Sequence, residues 1–190
     1  HGLDPAHKIF RNKVKFAWDN LPAEVRAMNP TINETASELV FQSGSSVYVG
    51  TSARSGTLQF LHISEYGKIC RRFPEKAAEI KTGSLPAVHK GGLIFIESTA
   101  EGTGGHFFDM VDEAQKRGPK KPNQMEFKLH FYPWWRKQSY RLDPDGVDIN
   151  DLVPYFNELE EQHGIFLDDA QCAWYAVQSR LFKGEMKQEY

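Results

Sequence analysis

The stretch Thr57-Leu-Gln-Phe-Leu-His-Ile-Ser-Glu65 decides how this chain is read. Phe60, Leu61 and Ile63 favour strand, and a near-continuous apolar run suits a strand covered on both faces. The run ends in an acid, Glu65. In open parallel sheets, functional groups gather just beyond the carboxyl ends of the strands, so Glu65 is the first candidate site residue. A second strand, residues 92–96, ends in the same way, in Glu97-Ser-Thr-Ala100. Two strands then deliver an acid and a hydroxyl pair to one edge. His62 alternates with Leu61 and Ile63 and reads as a core or supporting residue.

Working outward, residues 38–41 and 46–49 are short β-rich runs, and Gln42-Ser-Gly-Ser45 between them reads as a hairpin turn. Residues 5–28 read as helical, with Phe10, Val14 and Trp18 at fourfold spacing and Leu21-Pro22 closing that helix or opening the next. Lys8, Arg11, Lys13 and Lys15 suit its solvated face. Downstream, residues 73–80 form a predicted helix with Pro74 in its first turn, followed by a turn-rich link over residues 83–92. The loop over residues 99–105 carries Gly102, Gly104 and Gly105, read as turn and helix-start geometry. A helix is expected over residues 106–116, then a basic loop with Lys116, Arg117, Lys120 and Lys121. Residues 126–132 alternate like an exposed edge strand, with Phe127, Leu129 and Phe131 on one side. Strands alternating with helices argue an α/β fold with a mostly parallel sheet flanked by helices.

From Pro133 the character changes. Trp134, Trp135 and Tyr140 suit packing at a subdomain junction, and Asp143-Pro-Asp-Gly146 is a turn. Residues 150–163 and 168–183 read as two amphipathic helices, the second opened by Asp168 and Asp169 as an N-cap pair. They form a small helical C-terminal subdomain.

The 190 residues, 40% hydrophobic and 13% aromatic, can fill a core. A net charge of −2, from 23 basic and 25 acidic residues, gives no global nucleic-acid signal. Cys70 and Cys172 make neither a disulfide framework nor a zinc spacing, which points to a reducing compartment. No apolar run approaches the roughly 18 residues of a membrane span, so no membrane partner is expected. Gly50-Thr-Ser-Ala-Arg-Ser-Gly56-Thr57 looks faintly like a phosphate loop, but it lacks the spacing and the lysine that reaches the terminal phosphates.

Three segments together carry a resemblance. They are Ser46-Ser-Val-Tyr-Val-Gly-Thr-Ser-Ala-Arg54-Ser-Gly-Thr57, Leu61-His-Ile-Ser-Glu65 and Ile96-Glu-Ser-Thr-Ala-Glu-Gly102. In order and spacing the chain resembles the large terminase subunit of tailed bacteriophages, an ATP-driven motor that packages DNA. The Asn20-Leu-Pro22 turn, Phe131-Tyr-Pro-Trp-Trp135, Leu167-Asp-Asp-Ala-Gln-Cys-Ala-Trp174 and the closing Gln188-Glu-Tyr190 are also similar to that family.

The resemblance implies a partial P-loop NTPase fold of the RecA/ASCE type. Residues 1–135 would be the C-terminal part of an ATPase domain, and residues 136–190 a helical linker towards a nuclease domain. The Leu61–Glu65 strand matches the Walker B position, with Glu65 as the catalytic carboxylate. Ser64 stands where many ATPases place a magnesium-associated aspartate, so Ser64 and Glu65 are the implied metal contacts. Ser98 and Thr99 match the coupling motif that senses the nucleotide. Arg54 matches an arginine able to act on a neighbouring subunit's ATP, although a surface ion pair would place it equally well. The phosphate loop is expected upstream of His1 and the nuclease carboxylates beyond Tyr190. The full-length protein would use ATP and Mg²⁺, while this chain alone would hold neither tightly.

Implied partners are double-stranded DNA, the portal protein, the small terminase subunit and further copies of the chain in a ring, in the cytoplasm of a bacterial host. Two other readings stay open on the residues alone. One is a helicase-type ATPase sharing the same sheet and Glu65. The other is a non-catalytic module whose strands and aromatics bind a protein partner.

Overall fold

A computed structural model of the chain describes residues 3–51, 53, 56–124, 126–183 and 186. They form a mixed α/β protein of two compact units. The first comprises residues 1–61 and 78–94, the second residues 62–77 and 95–190.

In the first unit, α1 (Leu3–Ile9) continues through a π-helical segment, Phe10–Lys15, into α2 (Phe16–Asp19). Ile9 and Phe16, which flank the segment, both keep right-handed helical dihedrals, so the axis is not broken. Pro22 is extended, with ψ of 144°, and α3 (Ala23–Met28) starts after it. The helical pattern over residues 5–28 is thus divided at Leu21-Pro22, where the sequence has one helix close or the next open. The fourfold spacing does place Phe10, Val14 and Trp18 on one face. That face packs on Leu39 and Phe41, with the Trp18 and Phe41 rings edge to face at 5.0 Å.

Leu39 and Phe41 belong to β2 (Glu38–Phe41), the middle strand of an antiparallel sheet in the order β1 (Thr31–Glu34), β2, β3 (Ser46–Tyr48). β2 and β3 are the expected hairpin, in the register Leu39 opposite Val47. Gly44, with φ of 83°, supplies the left-handed turn residue. β1 was not legible in the sequence, and its register slips by one residue between Thr31 and Asn33.

β4 (Leu58–Ser64) pairs with β5 (Val88–Glu97), and both strands run from the first unit into the second. Near their starts the Leu58 N–H donates to the Ala87 carbonyl at 2.9 Å, and near their ends His62 meets Glu97. The two strands are therefore parallel, joined by the helical crossover that parallel neighbours require. The pair is not covered on both faces as the apolar run suggested. Phe60, Leu93 and Phe95 are more than half exposed, and Ile63 is the buried residue of β4. β5 is also longer than expected, because Gly91 and Gly92 lie within it. A Cβ on Gly92 would stand 2.9 Å from the Gln59 carbonyl, so the absent side chain lets the two backbones approach.

The crossover holds α4 (Tyr66–Arg72), which the sequence reading missed, α5 (Pro74–Glu79) and a π-helical turn, Ile80–Ser84. In the second unit α6 (His106–Arg117) follows β5, with Gly105 at its N-cap at φ of 88°. Residues 126–132 are not a strand but irregular chain. Strand requires a hydrogen-bonded partner, and their period-two alternation fixes only an extended conformation. A 3₁₀ turn, Trp134–Arg136, leads by way of a second, Asn150–Leu152, to α7 (Val153–His163) and α8 (Asp169–Phe182). Asp168 caps α8 in a reciprocal box: its carboxylate accepts from the Gln171 N–H, and the Gln171 side chain accepts from the Asp168 N–H. Trp134 packs against Trp174 of α8 at 5.5 Å, within the core of the second unit. Among the described residues no helix is long and apolar enough to cross a membrane.

Candidate functional site at the ends of two parallel strands

The ends of β4 and β5 lie in the second unit together with α4 and the start of α6. Glu65 stands between β4 and α4 in the left-handed region, φ 59° and ψ 38°. For a residue with a Cβ this conformation costs roughly 1–2 kcal/mol, and such residues concentrate where a side chain must be aimed. The turn sends the chain from strand to helix at the carboxylate. Ser64, just before it, is exposed, and Glu65 is half-buried.

The second strand arrives beside it. A Cβ on Gly67 would lie 2.9 Å from Ser98 Oγ and 3.1 Å from the Thr99 carbonyl, so Ser98 and Thr99 rest against the first turn of α4. The chain at the end of β5 thus lies against the helix that Glu65 opens. Ser98 Oγ is buried and has no hydrogen-bond partner among the described residues. Arg54 lies outside the described residues.

The chain from Ser98 to Phe107 then follows α4. The Arg71 guanidinium donates to Glu101 at 3.1 Å, and the Glu101 side chain is only 3% exposed against 57% for Arg71. A carboxylate so deeply buried needs this partner to offset its lost hydration. Gly105 sits against Cys70, and the Phe107 ring meets Tyr66 edge to face at 6.2 Å. Tyr66 is fully buried, and its hydroxyl lies 3.2 Å from the Ala77 carbonyl and 2.8 Å from His106 Nδ1. One phenolic proton cannot serve both, and the carbonyl can only accept. Tyr66 therefore donates to Ala77, and His106 Nδ1–H donates to Tyr66. Burial pushes the Tyr66 hydroxyl well above its ordinary range, and the neighbouring Cys70 thiol adds to the rise.

His62 is not a core residue. It is about half exposed and lies 3.5 Å from Glu97, a pair that contributes little so close to water. Lys116 and Arg117 of the expected basic loop are paired within the unit, with Asp112 and Glu126. Glu97, Glu101, Arg71, Tyr66 and His106 were not singled out from the sequence. The signal available for Glu101 and Arg71 was their opposite charge, but their separation of thirty residues gives no local pattern.

Hard oxygen donors are present for a cation such as Mg²⁺, which takes one or two carboxylates and fills its remaining positions with phosphate oxygens and water. Glu65 and Ser64 fit that role as a partial set. Among the described residues no group of three His, Cys, Asp or Glu side chains stands close enough to hold a metal by itself. The fold is that of a mixed α/β chain with a small two-stranded parallel sheet and helices. No family model, curated protein or solved structure matches it.

Proposed function

We propose that the chain is part of a phage or prophage terminase large subunit, a P-loop ATPase of the RecA/ASCE type that translocates double-stranded DNA. One observation supports the reading: Glu65 stands where β4 gives way to α4, and the chain that ends the parallel strand β5 brings Ser98 Oγ and the Thr99 backbone carbonyl against Gly67 in the first turn of α4. A nucleoside triphosphatase needs a base for the attacking water and hydroxyls that respond to the terminal phosphate, the roles that this reading gives to Glu65 and to Ser98 and Thr99.

Bound Mg²⁺-ATP supplies the electrophilic phosphorus and its charge screening. The Glu65 carboxylate orients the attacking water and accepts its proton. The Ser98 and Thr99 hydroxyls distinguish the presence of the γ-phosphate from its absence. The Glu101–Arg71 pair and the Tyr66–His106 hydrogen bond keep residues 98–107 in register with α4, so a shift at the hydroxyls moves α6. Arg54 is assigned to a neighbouring subunit's nucleotide. Ring copies, the portal, the small subunit and the nuclease domain complete the machine in the host cytoplasm.

In a longer protein that includes the phosphate loop, Glu65→Gln is expected to abolish ATP turnover while nucleotide binding persists. Turnover near the wild-type rate would remove Glu65 from the chemistry. The 190-residue chain alone is expected to release phosphate at the background rate. Release that Glu65→Gln blocks would show that the site is complete without the loop.

A further inference from the structure

Beyond this reading, the second unit holds a cavity of about 400 Å³ in its helical part, walled by Trp134, Trp135, Tyr155 and Tyr175. The rings are mutually fixed. Trp134 and Tyr175 lie 5.0 Å apart, Tyr155 and Tyr175 stack at 5.0 Å, and Trp135 stands edge-on to Trp134 at 5.9 Å. Among the described residues no lysine or arginine lines the cavity, and its polar side chains include the Glu158 carboxylate and the His163 imidazole of α7. Glu158 is exposed and makes no ion pair or hydrogen bond among the described residues.

A comparison lies within the same aromatic cluster. Tyr140 stacks on Trp174 at 4.1 Å, and the Lys137 ammonium stands 4.3 Å from the Tyr140 ring centroid. There the chain supplies its own cation, which also donates to the Tyr140 hydroxyl at 3.1 Å. At the cavity the described residues supply the rings, a carboxylate and the His163 imidazole, but no permanently charged cation. Aromatic faces attract cations through their quadrupoles, and an adjacent carboxylate adds to that field.

We propose that this cavity binds an organic cation, with the aromatic walls holding its apolar body and Glu158 balancing its charge. The cation is either a free quaternary ammonium compound or the guanidinium of a partner's arginine. Both present the same chemistry to the site, a weakly hydrated positive charge on an apolar frame.

The test uses the tryptophan fluorescence of the 190-residue chain. It is titrated with choline and its neutral isostere 3,3-dimethylbutan-1-ol, and separately with acetyl-arginine amide and acetyl-citrulline amide. Saturable binding of a cation about tenfold tighter than its neutral counterpart is expected in at least one pair. The pair that discriminates names the source. Glu158→Gln, a surface change that leaves the walls intact, is expected to weaken the cation about fivefold and leave the neutral compound unchanged. Equal binding of cation and neutral isostere in both pairs, no saturable binding, or an unaltered Glu158→Gln affinity would overturn the proposal. The strand-end assignments are untouched by either outcome, because no residue is shared.

Discussion

Ser98 and Glu65 each carry a local cost that packing does not explain. The buried Ser98 hydroxyl lacks a partner among the described residues, and an unsatisfied group of that kind costs about 1–3 kcal/mol. Ser98→Ala keeps the Cβ and removes the orphaned oxygen. The chain is expected to gain on the order of 1 kcal/mol, read as a higher urea midpoint. A loss of similar size would mean that the hydroxyl is structurally bonded, and its assignment as a nucleotide sensor would lose its support. Glu65 makes the same argument through the backbone. Glycine removes the roughly 1–2 kcal/mol of left-handed strain but adds about 0.5–1 kcal/mol of unfolded-state entropy. Glu65→Gly is therefore expected to leave the chain as stable or stabilise it by up to about 1.5 kcal/mol, while Glu65→Gln, which keeps the Cβ, shows no such gain. These two positions would then be retained at the expense of stability, as residues serving a ligand commonly are.

At the scale of elements, α4 and the chain over residues 98–107 form one assembly, and Gly67 is where they touch most closely. Alanine would gain about 1 kcal/mol of helix propensity there. Its Cβ would also stand 2.9 Å from Ser98 Oγ, 3.1 Å from the Phe107 ring and 3.1 Å from the Thr99 carbonyl. The hydroxyl can rotate away, but a backbone carbonyl and a packed ring cannot. Overpacking costs typically about 1–3 kcal/mol, so Gly67→Ala is expected to destabilise the chain by about 1 kcal/mol in urea unfolding. This element was hidden from sequence reading for a physical reason. A seven-residue helix with glycine in its first turn carries too little periodicity to stand out, and it is held by contacts with residues far along the chain, Ser98, Thr99, Gly105 and Phe107. The long regular elements were legible. α6 and α8 appear within two residues of their expected bounds, because an amphipathic stripe and an Asp168 cap are local signals. Residues 126–132 failed in the opposite sense: alternation of Phe127, Leu129 and Phe131 was present, but the partner that turns extended chain into strand was not.

Over the whole molecule, two aromatic and aliphatic clusters sit one in each unit, around Phe10, Leu39 and Phe41 and around Trp134, Trp174 and Tyr175. Both could be anticipated from residue type and spacing. That the ends of β4 and β5 share one unit could be anticipated only through the rule that parallel strands share a functional end. The acid-base balance of the fold could not be read from sequence, because it depends on burial. Tyr66, Tyr175 and Cys172 all belong to the second unit, and burial raises each above its ordinary range. For Tyr66 the Cys70 thiol contributes after burial, for Tyr175 the hydrogen bond with Tyr155, and for Cys172 the charges of Asp169 and Asp168. The sign follows from where the protons go. Below the unfolded-chain values, about 8.5 for cysteine and 10 for tyrosine, both states keep these protons and the stabilisation is complete. Above them the unfolded chain releases protons that the folded unit retains, so stability falls as the solution is made alkaline. Each group can contribute up to about 1.4 kcal/mol per pH unit over that range. In a Trp18→Phe variant the remaining tryptophans, Trp134, Trp135 and Trp174, all report on the second unit. Their urea midpoint is expected to hold steady from pH 7 to about 8.5 and then fall steeply towards pH 11. Adding Tyr175→Phe removes one of the releasing groups and should flatten the upper part of that fall. A midpoint that rises with pH, or a slope unaltered by Tyr175→Phe, would mean that these hydroxyls are reached by water in the folded unit.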